Sequence, residues 1–428
     1  MQKTSIFWFR RDLRLDDNKG LSEALKSGEK VIPIFIFDKE ILDQLEDKYD
    51  RRVDYIHQAL EKINEALHDS GSALLTFHGK PMEIFKKLIK DYDIQTVFTN
   101  RDYEPSAIKR DDEIRKFLKT KEVEFLDFKD QIIFEKGEVL KDNNEPYTVY
   151  TPYSKKWKKT LTEKDYTAHR LKKDNFQKLP KKKIMTLKEI GFLKTDLEME
   201  TPKLDSTIID HYDKTRDYPA QDGTTHLGIA LRFGTISVRK CVKFALEHNE
   251  VWLNELIWRE FFMQILSHFP KVVHHCFKEK YEAIQWRNNE KEFEKWCNGE
   301  TGYPIVDAGM RQLNQTGRMH NRIRMVVASF LTKHLLIDWR WGEAYFAKKL
   351  LDYELSSNNG NWQWAAGCGC DAAPYFRVFN PEEQTKKFDK DLKYIKQWNP
   401  DFEKNNTPIV EHKEGRERAL AAYKKALS

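Results

Sequence analysis

VIPIFIF, residues Val31–Phe37, is an uncharged run of β-branched and aromatic side chains, far too short to cross a bilayer and suited to a strand covered on both faces. Runs of the same kind flank it: SIFWF at Ser5–Phe9, ALLTF at Ala73–Phe77, TVFTN at Thr96–Asn100 and VEFLDF at Val123–Phe128. Amphipathic stretches of helical length separate them, Asp54–Leu67 and Pro105–Leu118 among them. Alternating β and α units imply a parallel sheet with helices on both sides. Residues 1–130 are therefore expected to form an α/β, Rossmann-like, doubly wound domain. No G-x-G-x-x-G follows the first run and no Walker P-loop occurs, so dinucleotide or triphosphate binding in the usual mode is not supported.

Beyond that domain, residues 131–205 lose periodicity and gain lysines, notably KKDNFQKLPKKK at Lys172–Lys183, which reads as a solvated connector in preference to the alternative of a DNA-contacting arm. From 206 to 428 apolar residues recur at i, i+3 and i+4, as in Trp252–His268 and Met319–His334, which predicts a larger, nearly all-α second domain.

The chain has 428 residues, 40% hydrophobic and 33% charged, which suits a globular protein of two domains with a soluble surface. No apolar signal core precedes the first strand-like run, and a cytoplasmic location is expected. Five cysteines in so long a chain read as reduced thiols. Cys368 and Cys370 lack a second ligand pair nearby, so no metal site is expected. A net charge of +6 decides nothing by itself; arginines beside aromatics in the second half say more.

Nine of the eleven tryptophans lie between Trp252 and Trp398. Leu and Phe fill a helical core without an indole N–H to satisfy, so this excess points to stacking and electron transfer. In NELIWREFF, Glu255 lies three residues before Trp258 and four before Arg259, so acid and indole share a helix face. That pattern alone suits a boundary helix with an ion pair equally well. In MHNRIRMVVASF, Asn321, Arg322, Arg324 and Met325 gather at the start of an apolar helix, where a ligand is expected. Trp362 and Trp364, two apart, lie about 200° apart on a helix and cannot do the same job. YDKTRDYPAQDGTTHLG, Tyr212–Gly228, ends in small hydroxylic residues ahead of a helical stretch, a weak signal for a pyrophosphate cradle.

The ordered set RDLRLDDN (from Arg11), YTPYSKKW (Tyr150), RDYPAQDGT (Arg216), NELIWREFF (Asn254), TGYPIVDAGMRQL (Thr301), MHNRIRM (Met319), NNGNWQWAAG (Asn358) and DAAPYFRVFNP (Asp371) resembles the photolyase and cryptochrome family, and within it the bacterial class I cyclobutane pyrimidine dimer photolyases. The resemblance covers nearly the whole chain. It implies reduced, non-covalent FAD held in the helical domain by Tyr212, Thr224, Thr225, His226, Leu227, Gly228, Trp252, Glu255, Arg259, Phe262, Asn321, Arg324, Asp352, Glu354 and Asn358. Asn358 matches the position facing the reactive flavin nitrogen, and its amide resembles the repair enzymes. For damaged DNA it implies a pocket of Glu255, Trp258, Asn321, Arg322, Met325 and Trp364, with Arg322 and Arg377 on flanking phosphates. Base flipping is carried over from the family. The resemblance further implies that light excites the bound flavin and that one electron passes to the dimer and returns, and Trp362, Trp339 and Trp286 match the family's relay that reduces oxidised flavin.

Four positions depart from the family pattern: Arg318 stands for a frequent Trp, His226 and Gly228 for Arg and Ser, and Glu354 for Asp. Repair of (6-4) photoproducts is disfavoured, because His320 is followed by Asn321 rather than a second His. A blue-light receptor is the other alternative, but receptors often carry a C-terminal extension, while this sequence stops about 30 residues after Trp398. The family also uses a folate, deazaflavin or flavin antenna, whose contacts the sequence does not identify. Monomers without membrane association are expected.

Overall fold

A computed structural model describes residues 2–404 and 407–428. The chain divides into two compact units, one of residues 1–135, 161–204 and 227–244, the other of 136–160, 205–226 and 245–428.

The first unit is built on five parallel strands, β1 (Lys3–Phe9), β2 (Lys30–Asp38), β3 (Leu75–Gly79), β4 (Asp93–Asn100) and β5 (Glu124–Phe128), in the order β3-β2-β1-β4-β5. Helices Lys19–Lys26, Arg51–His68, Pro81–Asp91 and Pro105–Lys119 connect them. VIPIFIF is the buried body of β2, with Ile6 of β1 facing Ile32 on one side and Val97 of β4 on its other. Pro33 lacks an N–H for a ladder, and it is tolerated because β3 pairing begins only at Ile34.

Strand order reverses between β1 and β4, the place where such sheets bind ligands. Here that crevice is occupied by the chain itself. Asn100 donates to Asp12 (2.6 Å) and Asn18 (2.7 Å) and accepts from the Gly20 amide (2.8 Å). A Cβ on Gly20 would stand 2.8 Å from the Asn100 oxygen, so glycine is required at this approach. The RDLRLDDN segment thus serves the fold of its own unit: Arg14 pairs with Asp130 (2.6 Å), and Arg239 with Asp17 (2.9 Å) and Asp130 (2.7 Å), all buried.

The stretch read as a connector is more ordered than its composition implies. Residues 161–204 pack on the first unit through Phe176, Ile184 and Phe192, and the lysine run is tied down by Gln177 N–H to the Val31 carbonyl (2.8 Å) and Leu179 N–H to the Gly71 carbonyl (3.1 Å). Tyr150–Thr160 is a helix of the second unit whose Trp157 and Tyr153 both donate to the buried Glu260 carboxylate, at 2.6 and 3.3 Å.

The second unit is helical. Helix Glu250–His268 starts on Asn249, which accepts from the Val251 and Trp252 amides. The stretch read as one helix, Met319–His334, is divided: His320 caps Asn321–Ser329, and Phe330–His334 widens into a π turn. Helix Leu355–Ala366 begins at the Glu354 cap and ends at Gly367, whose φ of +89° only glycine adopts without strain. Trp296, Trp339, Trp362 and Tyr423 share its core. All five cysteines are buried thiols. No helix among the described residues is long and apolar enough to cross a membrane.

Candidate functional site

Three helices of the second unit, Glu250–His268, Asn321–Ser329 and Leu355–Ala366, surround two neighbouring cavities. The larger, about 310 Å³, is lined by Arg216, Glu255, Trp258, Arg259, Phe262, Asn321, Met325, Ser357, Asn361 and Trp364. The smaller, about 90 Å³, is bordered by Asn321, Arg324, Met325, Asp352, Glu354, Asn358, Trp362 and Trp364 among others. Asn321, Met325, Ser357, Asn361 and Trp364 line both, so the two spaces share a wall. The indoles of one helix divide as their spacing requires: Trp362 lines only the smaller cavity, while Trp364 reaches both.

On the larger cavity, Glu255 pairs with Arg216, whose guanidinium also lies over the Tyr212 ring at 5.5 Å. Burial pushes the Glu255 carboxyl above its usual range, with Arg216 opposing. Burial, then the Glu255 charge, raises Tyr212. Arg322, expected in the dimer pocket, lines neither cavity; it is bonded to Asp217 (2.6 Å) and set over Phe388 at 4.2 Å. Its amide donates to Nδ1 of His320 (3.1 Å), which leaves the proton on Nε2, a buried donor with no partner among the described residues. Burial holds His320 neutral, pushed down to about 4.

At the smaller cavity, Arg324 donates to both Asp352 oxygens (2.8 and 3.1 Å) and to the Met319 carbonyl (2.9 Å). Glu354 caps its helix, accepting from the Ser356 amide (3.3 Å) and the Ser357 hydroxyl (3.2 Å). Asn358 directs its amide nitrogen at the Glu343 carboxylate (2.8 Å) and carbonyl (3.1 Å). Both partners are acceptors, which fixes the amide: its N–H groups are engaged, and Oδ1 is left for the cavity. Burial raises the Glu343 carboxyl.

Other residues singled out in the sequence stand elsewhere. Trp252 is buried and lines neither cavity. Arg377 is exposed, over Phe379 at 5.4 Å. Thr224 and Thr225 are half-buried, and their hydroxyls have no hydrogen-bond partner among the described residues. His226 faces solvent, bonded to Asp222 (2.8 Å). Leu227 and Gly228 belong to the first unit, where Gly228 opens a six-residue helix, Gly228–Phe233. Trp339 is buried with its indole beside the Cys276 thiol, and Trp286 meets Tyr423 edge-on at 6.0 Å. Trp362 touches Phe346 (5.0 Å) and Trp296 (6.1 Å). Arg216, Asp217, Glu343 and Trp296 were not singled out. Arg216 lay within a quoted motif, whereas Glu343 follows no motif and shows its role only through the fold.

Comparison with known proteins bears on the family of the whole chain. A profile described as DNA photolyase matches residues 5–173, and one described as the FAD binding domain of DNA photolyase matches 252–407. The deoxyribodipyrimidine photo-lyase of Salmonella typhimurium is 36% identical over 99% of both chains, and that of Escherichia coli 35% over 99% of both. The chain belongs to the DNA photolyase family. Among solved structures, a bacterial class III photolyase from Agrobacterium tumefaciens superposes on this photolyase-family chain with a TM-score of 0.86 at 33% identity, covering 100% of it and 98% of the other. An archaeal photolyase from Sulfolobus tokodaii with two FAD molecules gives 0.84 at 33%, covering 99% and 100%. A Synechocystis cryptochrome, 24% identical over 99% of both chains with a TM-score of 0.82, shares the fold.

The donor set suits a flavin nucleotide. The structure offers a guanidinium held by a carboxylate, a free amide oxygen at Asn358, an unpartnered buried N–H on His320 and two unbonded threonine hydroxyls, the groups that a polar ring system and a pyrophosphate need.

Proposed function

We propose that this chain repairs cyclobutane pyrimidine dimers in DNA using light and reduced, non-covalently bound FAD. The observation that carries the reading is the pair of cavities sharing the wall of Asn321, Met325 and Trp364, one faced by Glu255 and Trp258, the other by Asn358 and Arg324. When bound and excited, FAD supplies one electron to the dimer and takes it back. Everything else is the work of side chains. Trp258 and Trp364 offer flat faces to a flipped-out pyrimidine pair, and Glu255 and Asn321 offer an acceptor and an amide to its imide and carbonyl edges. Arg322 and Arg377 contact the flanking phosphates. Arg324, Asp352, Asn358, Thr224 and Thr225 hold the cofactor. The chain acts as a monomer and carries a second, light-harvesting chromophore.

The test is conversion of a dimer-containing oligothymidylate to monomer by reduced, FAD-loaded protein under blue or near-ultraviolet light. Conversion in the dark, or none in the light, contradicts the reading.

Asn358 provides a second check. With its N–H groups on Glu343, the amide offers an acceptor to a protonated ring nitrogen, the form found in reduced flavin. Glu343→Leu removes one acceptor and releases the amide to turn its NH2 to the cavity. A tenfold loss of preference for the protonated ring corresponds to a potential about 60 mV lower for one electron. A redox titration of the bound flavin reads this, and an unchanged potential refutes the orientation.

A further inference from the structure

Among the described residues, the tightest ring pair of the second unit involves a residue that neither cavity includes. Tyr150 lies flat against Trp258, ring centroids 3.6 Å apart and planes 5° from parallel. Aromatic pairs in cores ordinarily sit offset or edge-on with centroids about 4.5–7 Å apart, so this is the geometry of a stacked base rather than of core packing. Neither residue is core filler: both are only half-buried, and Trp258 lines the larger cavity.

Tyr150 is held in that pose from three directions. Its hydroxyl donates to the Asn254 carbonyl (2.9 Å), on the same helix as Trp258. It is the first residue of helix Tyr150–Thr160, and its N–H, which has no partner inside the helix, donates to the Asp371 carboxylate at 3.0 Å. Tyr150, Tyr153 and Trp157 recur at i, i+3 and i+7, so one face of that helix lies on Glu250–His268, fastened by the two bonds to Glu260. Asp371 keeps its place with a φ of +44°, a left-handed conformation unusual outside glycine that costs on the order of 1 kcal/mol or more. The YTPYSKKW and DAAPYFRVFNP motifs are thereby joined behind Trp258. Its remaining neighbours are Phe262, tilted 30° at 5.6 Å, and Phe261, edge-on at 5.6 Å.

We infer that Tyr150 is a positioning residue for lesion recognition, fixing the plane of the Trp258 indole so that a flipped-out pyrimidine dimer meets a pre-set stacking surface. The inference rests on the reading of Trp258 as the dimer's platform. An indole on a helix otherwise rotates about two side-chain bonds, and binding must then supply the ordering of that ring. A clamp built into the unliganded fold removes this cost from the binding step. Undamaged DNA, whose bases stay stacked in the duplex, does not use the platform, so the clamp acts on discrimination.

The experiment uses full-length, FAD-loaded protein and an oligothymidylate duplex with or without one cyclobutane dimer. Dissociation constants and repair per absorbed photon at saturating substrate are measured for wild type, Tyr150→Phe, Tyr150→Leu and Tyr150→Ala. Tyr150→Ala and Tyr150→Leu are expected to weaken binding of the dimer duplex about tenfold. Affinity for the undamaged duplex, flavin content and repair per photon at saturation stay unchanged. Tyr150→Phe keeps the flat ring and binds within about twofold of wild type, because the hydroxyl contributes only one neutral hydrogen bond. Equal losses on both duplexes, loss of flavin, or full affinity in Tyr150→Leu overturns the inference. If wild type itself fails to distinguish the duplexes, the failure belongs to the proposed function.

Discussion

Trp362→Phe is expected to slow light-driven reduction of oxidised flavin by about 100-fold or more, two decades of rate being about 2.7 kcal/mol of barrier. Repair by chemically reduced protein should persist within about twofold, since no bonding group of the dimer pocket is lost. Trp362 is 2% exposed, lines the smaller cavity and packs edge-on against Phe346 at 5.0 Å and Trp296 at 6.1 Å. Gly342 approaches so closely that an added Cβ would stand 2.1 Å from the indole, which pins its orientation. Phenylalanine fits the space but gives up an electron far less readily than an indole. Flavin absorbance under illumination with an external reductant follows the first activity, and dimer loss in reduced protein the second. Equal loss of both means that the residue only supports the fold. Trp296→Phe is the informative control. Trp296 touches Trp362 but donates its N–H to the Val327 carbonyl (3.1 Å), and the family resemblance gives it no relay role. If it matches Trp362→Phe, the electron that refills Trp362 comes through Trp296 rather than Trp339.

The sheet was legible because its signal is local: uncharged β-branched runs such as VIPIFIF, separated by amphipathic stretches, admit few readings other than a parallel sheet under helices. Glu255 with Trp258, and Trp362 with Trp364, were legible for the same reason, since spacing on one helix fixes relative direction. What escaped was set by packing between distant segments. Helix Tyr150–Thr160 lies in a stretch of weak periodicity, and its three aromatics acquire a direction only from Glu260 and Trp258, more than a hundred positions on. Glu343 belongs to no motif, and its relation to Asn358 exists only once helices Trp339–Lys349 and Leu355–Ala366 pack together. The π turn at Phe330–His334 ended a helix that apolar periodicity alone continues, because a π turn keeps the residues buried while changing the backbone bonding.

Glu255→Ala should lower kcat/KM for dimer repair by about 100-fold, in line with about 1.5–3 kcal/mol for a hydrogen bond to a charged group. The carboxylate lines the larger cavity beside Trp258, where the proposed function sets it toward an imide N–H; burial raises it and Arg216 opposes the rise. Alanine removes the acceptor and leaves the Arg216 guanidinium without its partner, so affinity for the lesion falls while the second cavity, which Glu255 does not line, keeps its shape. Flavin content of the purified variant is therefore expected to match wild type, and a flavin-free product refutes the assignment to the lesion. The pH profile separates charge from contact. Because burial raises the Glu255 carboxyl above the ordinary range, the ionised, better-accepting form is present above that raised value and is lost as pH falls through it. Repair by wild type should decline on the acid side at a higher pH than an unperturbed glutamate gives. Glu255→Gln keeps an amide oxygen at the cavity but has no titration, so its activity should be lower at neutral pH and flat across the range in which wild type declines. A Gln variant that declines in parallel with wild type would transfer that limb of the profile to another group.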